Sequence, residues 1–156
     1  MLTDRDKKRL DGVHPHMVSV VSDASLLIPK RYPDLSIFVI YGLRSREQQY
    51  EIWRTCHEHD GTPNGNAWKT NFNGTPIGQR TPEGSPGTGV SRHQSGYAVD
   101  FGVNVKGKLT WNPEEYEKAA NVMLEVAAKH KIPVVYGGTF KKKDYVHIEL
   151  NKKFYP

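Results

Sequence analysis

Cysteine is nearly absent. Cys56 is the only one in 156 residues, so no intrachain disulfide can form and folding does not depend on an oxidising compartment. That lone side chain reads as a partly buried thiol. Long apolar runs are missing too: Met1-Leu-Thr-Asp-Arg-Asp-Lys-Lys is charged from the outset and no hydrophobic stretch follows, so neither a secretory signal nor a membrane span is expected. The net charge of +5 is not gathered into a Lys/Arg block, and the aromatics show no strand-face stacking pattern, which argues against a nucleic-acid partner. Repeats and low-complexity tracts are absent, and the Asp and Asn residues have no EF-hand spacing. The length suits one domain with a real core and leaves no room for a separate binding module, so a single domain over 1–156 is expected.

What is present is a regular alternation of helix and strand signals. Thr3 with Asp6 forms a capping box for a short helix that Gly12 ends. A second helix is predicted from about Pro15 to Leu27, with Met17, Val20, Val21, Ala24 and Leu27 on one face and Pro29 as its stop. Ser36-Ile-Phe-Val-Ile-Tyr41 reads as a buried strand ending at Gly42. Ser45 and Gln48 then cap a helix running through Tyr50, Ile52 and Trp53 to about Cys56, which would hold Arg44 at a strand-to-helix junction.

Residues 57–90 are rich in Gly, Pro, Asn and Thr without periodicity. A flap over a groove and an irregular surface excursion fit equally well, with a small hairpin around Asn73-Gly74 joining Trp68-Lys-Thr-Asn-Phe72 to Ile77-Gly-Gln-Arg80. Tyr97 to Val103 forms a strand, 104–110 a turn through Gly107, and Asn112-Pro113-Glu-Glu opens a helix whose apolar side is Tyr116, Ala119, Ala120, Met123, Val126 and Ala127. Val134-Val-Tyr136 and Tyr145-Val-His-Ile-Glu-Leu150 complete a small sheet through a Gly137-Gly138 turn. The fold class is therefore α+β, a mostly antiparallel sheet packed with helices on one side.

Chemistry concentrates in two stretches. Ser91-Arg-His-Gln-Ser-Gly-Tyr-Ala-Val-Asp100 is answered near the C-terminus by Asp144-Tyr-Val-His147. Catalytic zinc commonly takes three protein ligands and keeps its fourth position for water, and imidazole nitrogens with a carboxylate oxygen suit that ion. Two histidines and one aspartate supply such a set. His93 and Asp100 are too far apart for one helical turn and Gly96 interrupts any helix, so a loop carries His93 and a strand carries Asp100. Along that strand Ala98 and Asp100 share one face and Val99 the other. A bend at Asp144 would let one of Asp144 and His147 reach the metal and the other its water. Cys56-His-Glu-His-Asp60 lacks ligand spacing and reads as a polar helix end; His14-Pro-His16 reads as a turn into the second helix. Glu149 alternates with His147 on one strand face, where it either orients that histidine or is solvated.

Ser-x-His-x-x-Gly-x-Ala-x-Asp followed by carboxylate-x-x-His resembles the zinc peptidases that include the bacterial D-alanyl-D-alanine carboxypeptidases and dipeptidases. The phage endolysins that cut L-alanyl-D-glutamate in peptidoglycan fit best. Leu10-Asp-Gly-Val-His-Pro15, Tyr41-Gly-Leu-Arg-Ser-Arg-Glu-Gln-Gln49, Trp111-Asn-Pro113, Tyr136-Gly-Gly-Thr-Phe140 and Tyr155-Pro156 extend the likeness over most of the chain. The resemblance implies that His93, Asp100 and His147 bind Zn²⁺ at the sheet's edge, that Asp144 is the general base, and that Arg44 is a cation near the scissile carbonyl. Asp rather than Glu at 144 tilts it toward the endopeptidases. The aromatic-Gly-Gly-x-aromatic segment, usually tryptophan-rich, places Tyr136 and Phe140 as walls of the site.

It further implies a peptidoglycan substrate and no stable membrane insertion. The protein would be a monomer made in the host cytoplasm and acting in the periplasm once a holin has opened the membrane. A mildly basic surface would favour encounter with the anionic wall. Two other readings stand beside this one: a D-alanyl-D-alanine carboxypeptidase, and a non-catalytic binding domain with a structural zinc.

Overall fold

A computed structural model describes residues 1–45, 47–48, 91–141 and 143–156. The chain divides into two compact units, Met1–Leu43 with Gly96–Pro156, and Arg44–Ser95. The expected helix beyond Gln48, the Cys56 thiol, the Cys56–Asp60 cluster and the 57–90 segment with its hairpin lie outside the described residues.

The first unit is α+β, as expected. Its elements are α1 (Asp4–Arg9), α2 (Pro15–Arg31), β1 (Leu35–Tyr41), β2 (Ala98–Val105), β3 (Lys108–Thr110), α3 (Pro113–Lys129), β4 (Val134–Tyr136), a 3-10 turn (Gly137–Thr139) and β5 (His147–Leu150). The strands form one antiparallel sheet in the order β1-β2-β5-β4, with β3 paired to β2. Leu35, Ile37 and Val39 of β1, Val99, Phe101 and Val103 of β2, and Ile148 and Leu150 of β5 turn into the core. There they meet Met17, Val20, Val21, Ala24 and Ile28 of α2 and Tyr116, Ala119, Ala120 and Met123 of α3. Because strand side chains alternate, Ala98, Asp100, His147 and Glu149 must lie on the opposite face. That face carries the chemistry.

Two features depart from the sequence-based expectation. First, α2 continues past Leu27 through Pro29 to Arg31. Proline has no N–H to offer the carbonyl four residues back, that of Ser25. The Met1 nitrogen donates to this carbonyl instead, at 3.3 Å, and Tyr32 N–H closes the helix on the Ile28 carbonyl at 2.8 Å. Second, the turn expected over 104–110 is a hairpin: β2 runs to Val105 and returns as β3 through Lys106 and Gly107, both at positive φ (51° and 76°). Two consecutive left-handed residues make the tight turn whose twist matches paired strands.

α1 protects the sheet. β1 is an edge strand, and the outward N–H and C=O of Val39 would otherwise face water or another chain. The Asp6 carboxylate accepts from Val39 N–H at 2.9 Å and the Arg9 guanidinium donates to the Val39 carbonyl at 2.7 Å. Asp6 is itself held by the expected capping box, accepting from the Thr3 N–H and hydroxyl at 2.8 Å each. Burial alone would raise the Asp6 carboxyl, but the hydrogen bonds from Val39 and Thr3 and the charge of Arg9 outweigh it and hold the group below its ordinary range.

Candidate metal centre

Within the first unit the site is built on paired strands. Asp100 and His147 are register partners across β2 and β5, and Ala98 is the partner of Glu149. His147 Nδ1 lies 3.1 Å from Asp100 Oδ1, and His147 Nε2 lies 2.8 Å from Glu149 Oε2. All three side chains are largely buried. Burial by itself would depress the His147 imidazole; the hydrogen bonds and charges of Asp100 and Glu149 outweigh that effect and push it up to about 10. A proton and a divalent cation compete for the same ring nitrogen, so metal uptake here is coupled to proton release.

The approach to β5 is tightly specified. Gly137 N–H and C=O begin the 3-10 turn, and its carbonyl accepts from the N–H of Asp144 at 2.9 Å. The Asp144 carbonyl in turn accepts from His147 N–H at 3.3 Å. Asp144 thus sits in a bend immediately before β5, as the Asp-x-x-His spacing suggested. Of the two aromatics expected to wall the site, Phe140 does so, with its ring 5.8 Å from that of His147. Tyr136 does not. It is buried beside Phe101, and its hydroxyl donates to the Tyr145 carbonyl at 2.7 Å, so it supports the bend from inside the core.

Gly96 explains itself locally. Its φ is +71°, and a Cβ there would stand 2.6 Å from the Gly12 carbonyl oxygen, so both conformation and space call for glycine. The Gly96 carbonyl accepts from His14 N–H at 2.9 Å. The His14-Pro-His16 turn therefore also anchors the start of the motif strand.

In the second unit, Arg44 and His93 are both buried, and the Arg44 N–H donates to the His93 carbonyl at 3.0 Å. Ser45 and Gln48 make the expected capping box, Ser45 N–H to Gln48 Oε1 at 2.9 Å and Gln48 N–H to Ser45 Oγ at 3.1 Å. Arg44 is mounted one residue before that cap.

Asp100 Oδ1 and His147 Nδ1, both in the first unit, offer two ligand atoms 3.1 Å apart, and His93, the third candidate donor, belongs to the second unit. Donors about 2.1 Å from a tetrahedral ion stand about 3.4 Å apart, so the Asp100–His147 pair fits zinc with small adjustment. Two imidazoles and one carboxylate also match zinc's preference for nitrogen and oxygen donors over the all-oxygen cages of calcium and magnesium.

Residues 84–150, which contain all three candidate ligands and Asp144, match the family model described as D-alanyl-D-alanine carboxypeptidase. The chain superposes on the L-Ala D-Glu endopeptidase ChiX of Serratia marcescens with 26% identity and a TM-score of 0.69, covering 100% of this chain and 94% of that one. It also shares its fold with DacB from Streptococcus pneumoniae D39, at 20% identity and a TM-score of 0.52, covering 94% of this chain and 71% of the other. A third match is the vancomycin-resistance D,D-pentapeptidase VanY, solved in complex with Zn(II), at 16% identity and a TM-score of 0.54, covering 88% and 72%. No curated protein sequence matches the chain. Imidazole and carboxylate donors of the kind that His93, Asp100 and His147 offer are those that suit a zinc ion.

Proposed function

We propose that this protein is a zinc-dependent endopeptidase of peptidoglycan stem peptides that hydrolyses the L-alanyl-D-glutamate bond. The observation that carries the reading is the fit to the Serratia L-Ala D-Glu endopeptidase, which spans nearly the whole of both chains, against 72% of the VanY chain and 71% of the DacB chain. Asp at 144 supports it from the residue side.

His93, Asp100 and His147 would hold the metal. When bound, zinc supplies Lewis-acid polarisation and brings the attacking water's pKa to about 7. Asp144 takes the proton that the water gives up as its oxygen attacks the carbonyl carbon, and delivers it to the amine nitrogen as the C–N bond breaks. The Arg44 guanidinium donates to the carbonyl oxygen as that oxygen gains charge. Phe140 packs against His147 and restricts water on that side.

The setting we propose is phage lysis. The monomeric enzyme accumulates in the host cytoplasm and reaches the periplasmic wall after a holin permeabilises the membrane. The description of the matching family favours a second reading, a D-alanyl-D-alanine carboxypeptidase. Digestion of purified peptidoglycan, with zinc and with a chelator, separates the two by fragment mass. An endopeptidase releases peptides beginning at D-glutamate and leaves L-alanine on the glycan; a carboxypeptidase releases only D-alanine. Release of D-alanine alone would overturn the endopeptidase reading.

A further inference from the structure

Glu149 is a carboxylate buried in the middle of a strand, on the face that bears the metal ligands. Burying a charge is costly unless it is paired. Its Oε2 lies 2.8 Å from His147 Nε2, two residues back on the same face. The opposing residue explains how it fits. Ala98, the register partner of Glu149, is fully buried. A methyl group there leaves the side chain of Glu149 room to fold along β5 toward the imidazole; a larger side chain would occupy that space. The alanine two residues before Asp100 in the motif thus has a physical reason that only the neighbouring strand reveals.

The chemistry of the contact is directional. An ionised carboxylate only accepts, so the hydrogen between Glu149 and His147 is carried by Nε2. The neutral ring then has its lone pair on Nδ1, the nitrogen 3.1 Å from Asp100 Oδ1, a separation close to that of two donors on one zinc ion. Asp100 and Glu149 together also set two negative charges against a dication.

We propose that Glu149 is a positioning residue for the metal centre: it fixes His147 as the Nε2–H tautomer, presents Nδ1 to zinc, and raises the affinity of the site for the ion. The inference rests on the zinc-site reading of His93, Asp100 and His147, and is independent of which peptide bond is cut. Carboxylate partners of ligand histidines contribute 10- to 100-fold in metal affinity or activity in other proteins.

The test is zinc affinity of the full chain, measured by competition with a chromophoric chelator for the native protein, Glu149→Gln, Glu149→Leu and Ala98→Leu. The exposed Glu114→Gln serves as a charge-loss control. Glu149→Leu is expected to weaken zinc binding by about 10- to 100-fold. Glu149→Gln keeps shape and an acceptor oxygen, so it should fold normally and fall between Glu149→Leu and native. Ala98→Leu should weaken binding although the carboxylate is still present, and Glu114→Gln should match native. Nitrogen-15 spectra of the zinc-loaded native protein should show His147 protonated on Nε2. Native-like affinity in Glu149→Gln and Glu149→Leu, or a His147 protonated on Nδ1, would overturn the proposal. Failure of the native chain to bind zinc would overturn the metal-site reading with it, whereas native zinc binding with an unexpected cleavage product would overturn only the assigned bond.

Discussion

Replacing Gly137 by alanine should cut turnover sharply while leaving the protein folded. A Cβ at this position would run into the Asp144 carbonyl oxygen, and would stand 3.0 Å from His147 Cβ and 3.1 Å from the His147 carbonyl oxygen. Ordinary carbon contacts lie at about 3.5–4.0 Å, so the 3-10 turn and the 144–147 bend must separate by about 0.5–1 Å. Overpacking of this kind costs about 1–3 kcal/mol. For a chain of this size, that is a loss of about 3–10 °C in Tm. The same displacement moves Asp144 relative to the ligand that follows it three residues later, and misplacement by about 1 Å costs on the order of a hundredfold in rate. Two assays on one preparation suffice: thermal unfolding by circular dichroism, and kcat and KM on a soluble stem-peptide substrate. The expected result is a folded protein with kcat down about a hundredfold and KM changed little. Native kcat with an unchanged Tm would refute the close approach itself, while a fall in Tm with native kcat would refute the claim that the Gly137 contact positions Asp144.

Three further outcomes follow from the same geometry. Asp144→Ala should retain zinc, measured by metal analysis after dialysis, yet lose hydrolysis, whereas His147→Ala should lose both; near-native turnover in Asp144→Ala would remove it as the base. Arg44→Ala should lower kcat by on the order of a hundredfold, as loss of one oxyanion donor typically does, with zinc content unchanged. Asp6→Asn should lower stability by about 1–2 kcal/mol at pH 7. Because the folded carboxyl lies below its unfolded value of 3.8, its contribution is full above that value and fades as pH falls through the folded value, so denaturant curves of native and variant should converge in acid.

The elements that were legible in sequence are those whose signals are local. Thr3 with Asp6, Ser45 with Gln48, and Asn112 before Pro113 are caps made within four residues, and each forms as its spacing indicates. What escaped depends on partners distant in sequence. Pro29 looks like a helix stop until the Met1 nitrogen is seen to serve the carbonyl that proline leaves unpaired. Tyr136 resembles a site wall by its place in an aromatic-Gly-Gly segment, yet a core position opened by Phe101 and a carbonyl at Tyr145 draw it inward. Lys106 gives no turn signal of its own; the signal of the left-handed pair is carried by Gly107.

The candidate site was read from the sequence for a different reason: its residues lie close together within each of two stretches, so spacing constrains geometry. Seven residues from His93 to Asp100 admit one glycine-dependent turn and two strand steps, and three residues from Asp144 to His147 admit one bend. How the stretches meet was not legible. Register decides it, and a slip of one residue between β2 and β5 would turn His147 and Glu149 into the core and Ile148 onto the ligand face. The apolar residues that exclude that slip are Val99, Phe101, Ile148 and Leu150, all on the core face of the sheet. Packing of the hydrophobic face therefore sets the 3.1 Å approach of Asp100 to His147. A polar substitution at Ile148 should accordingly loosen the zinc site from behind, before it alters any ligand.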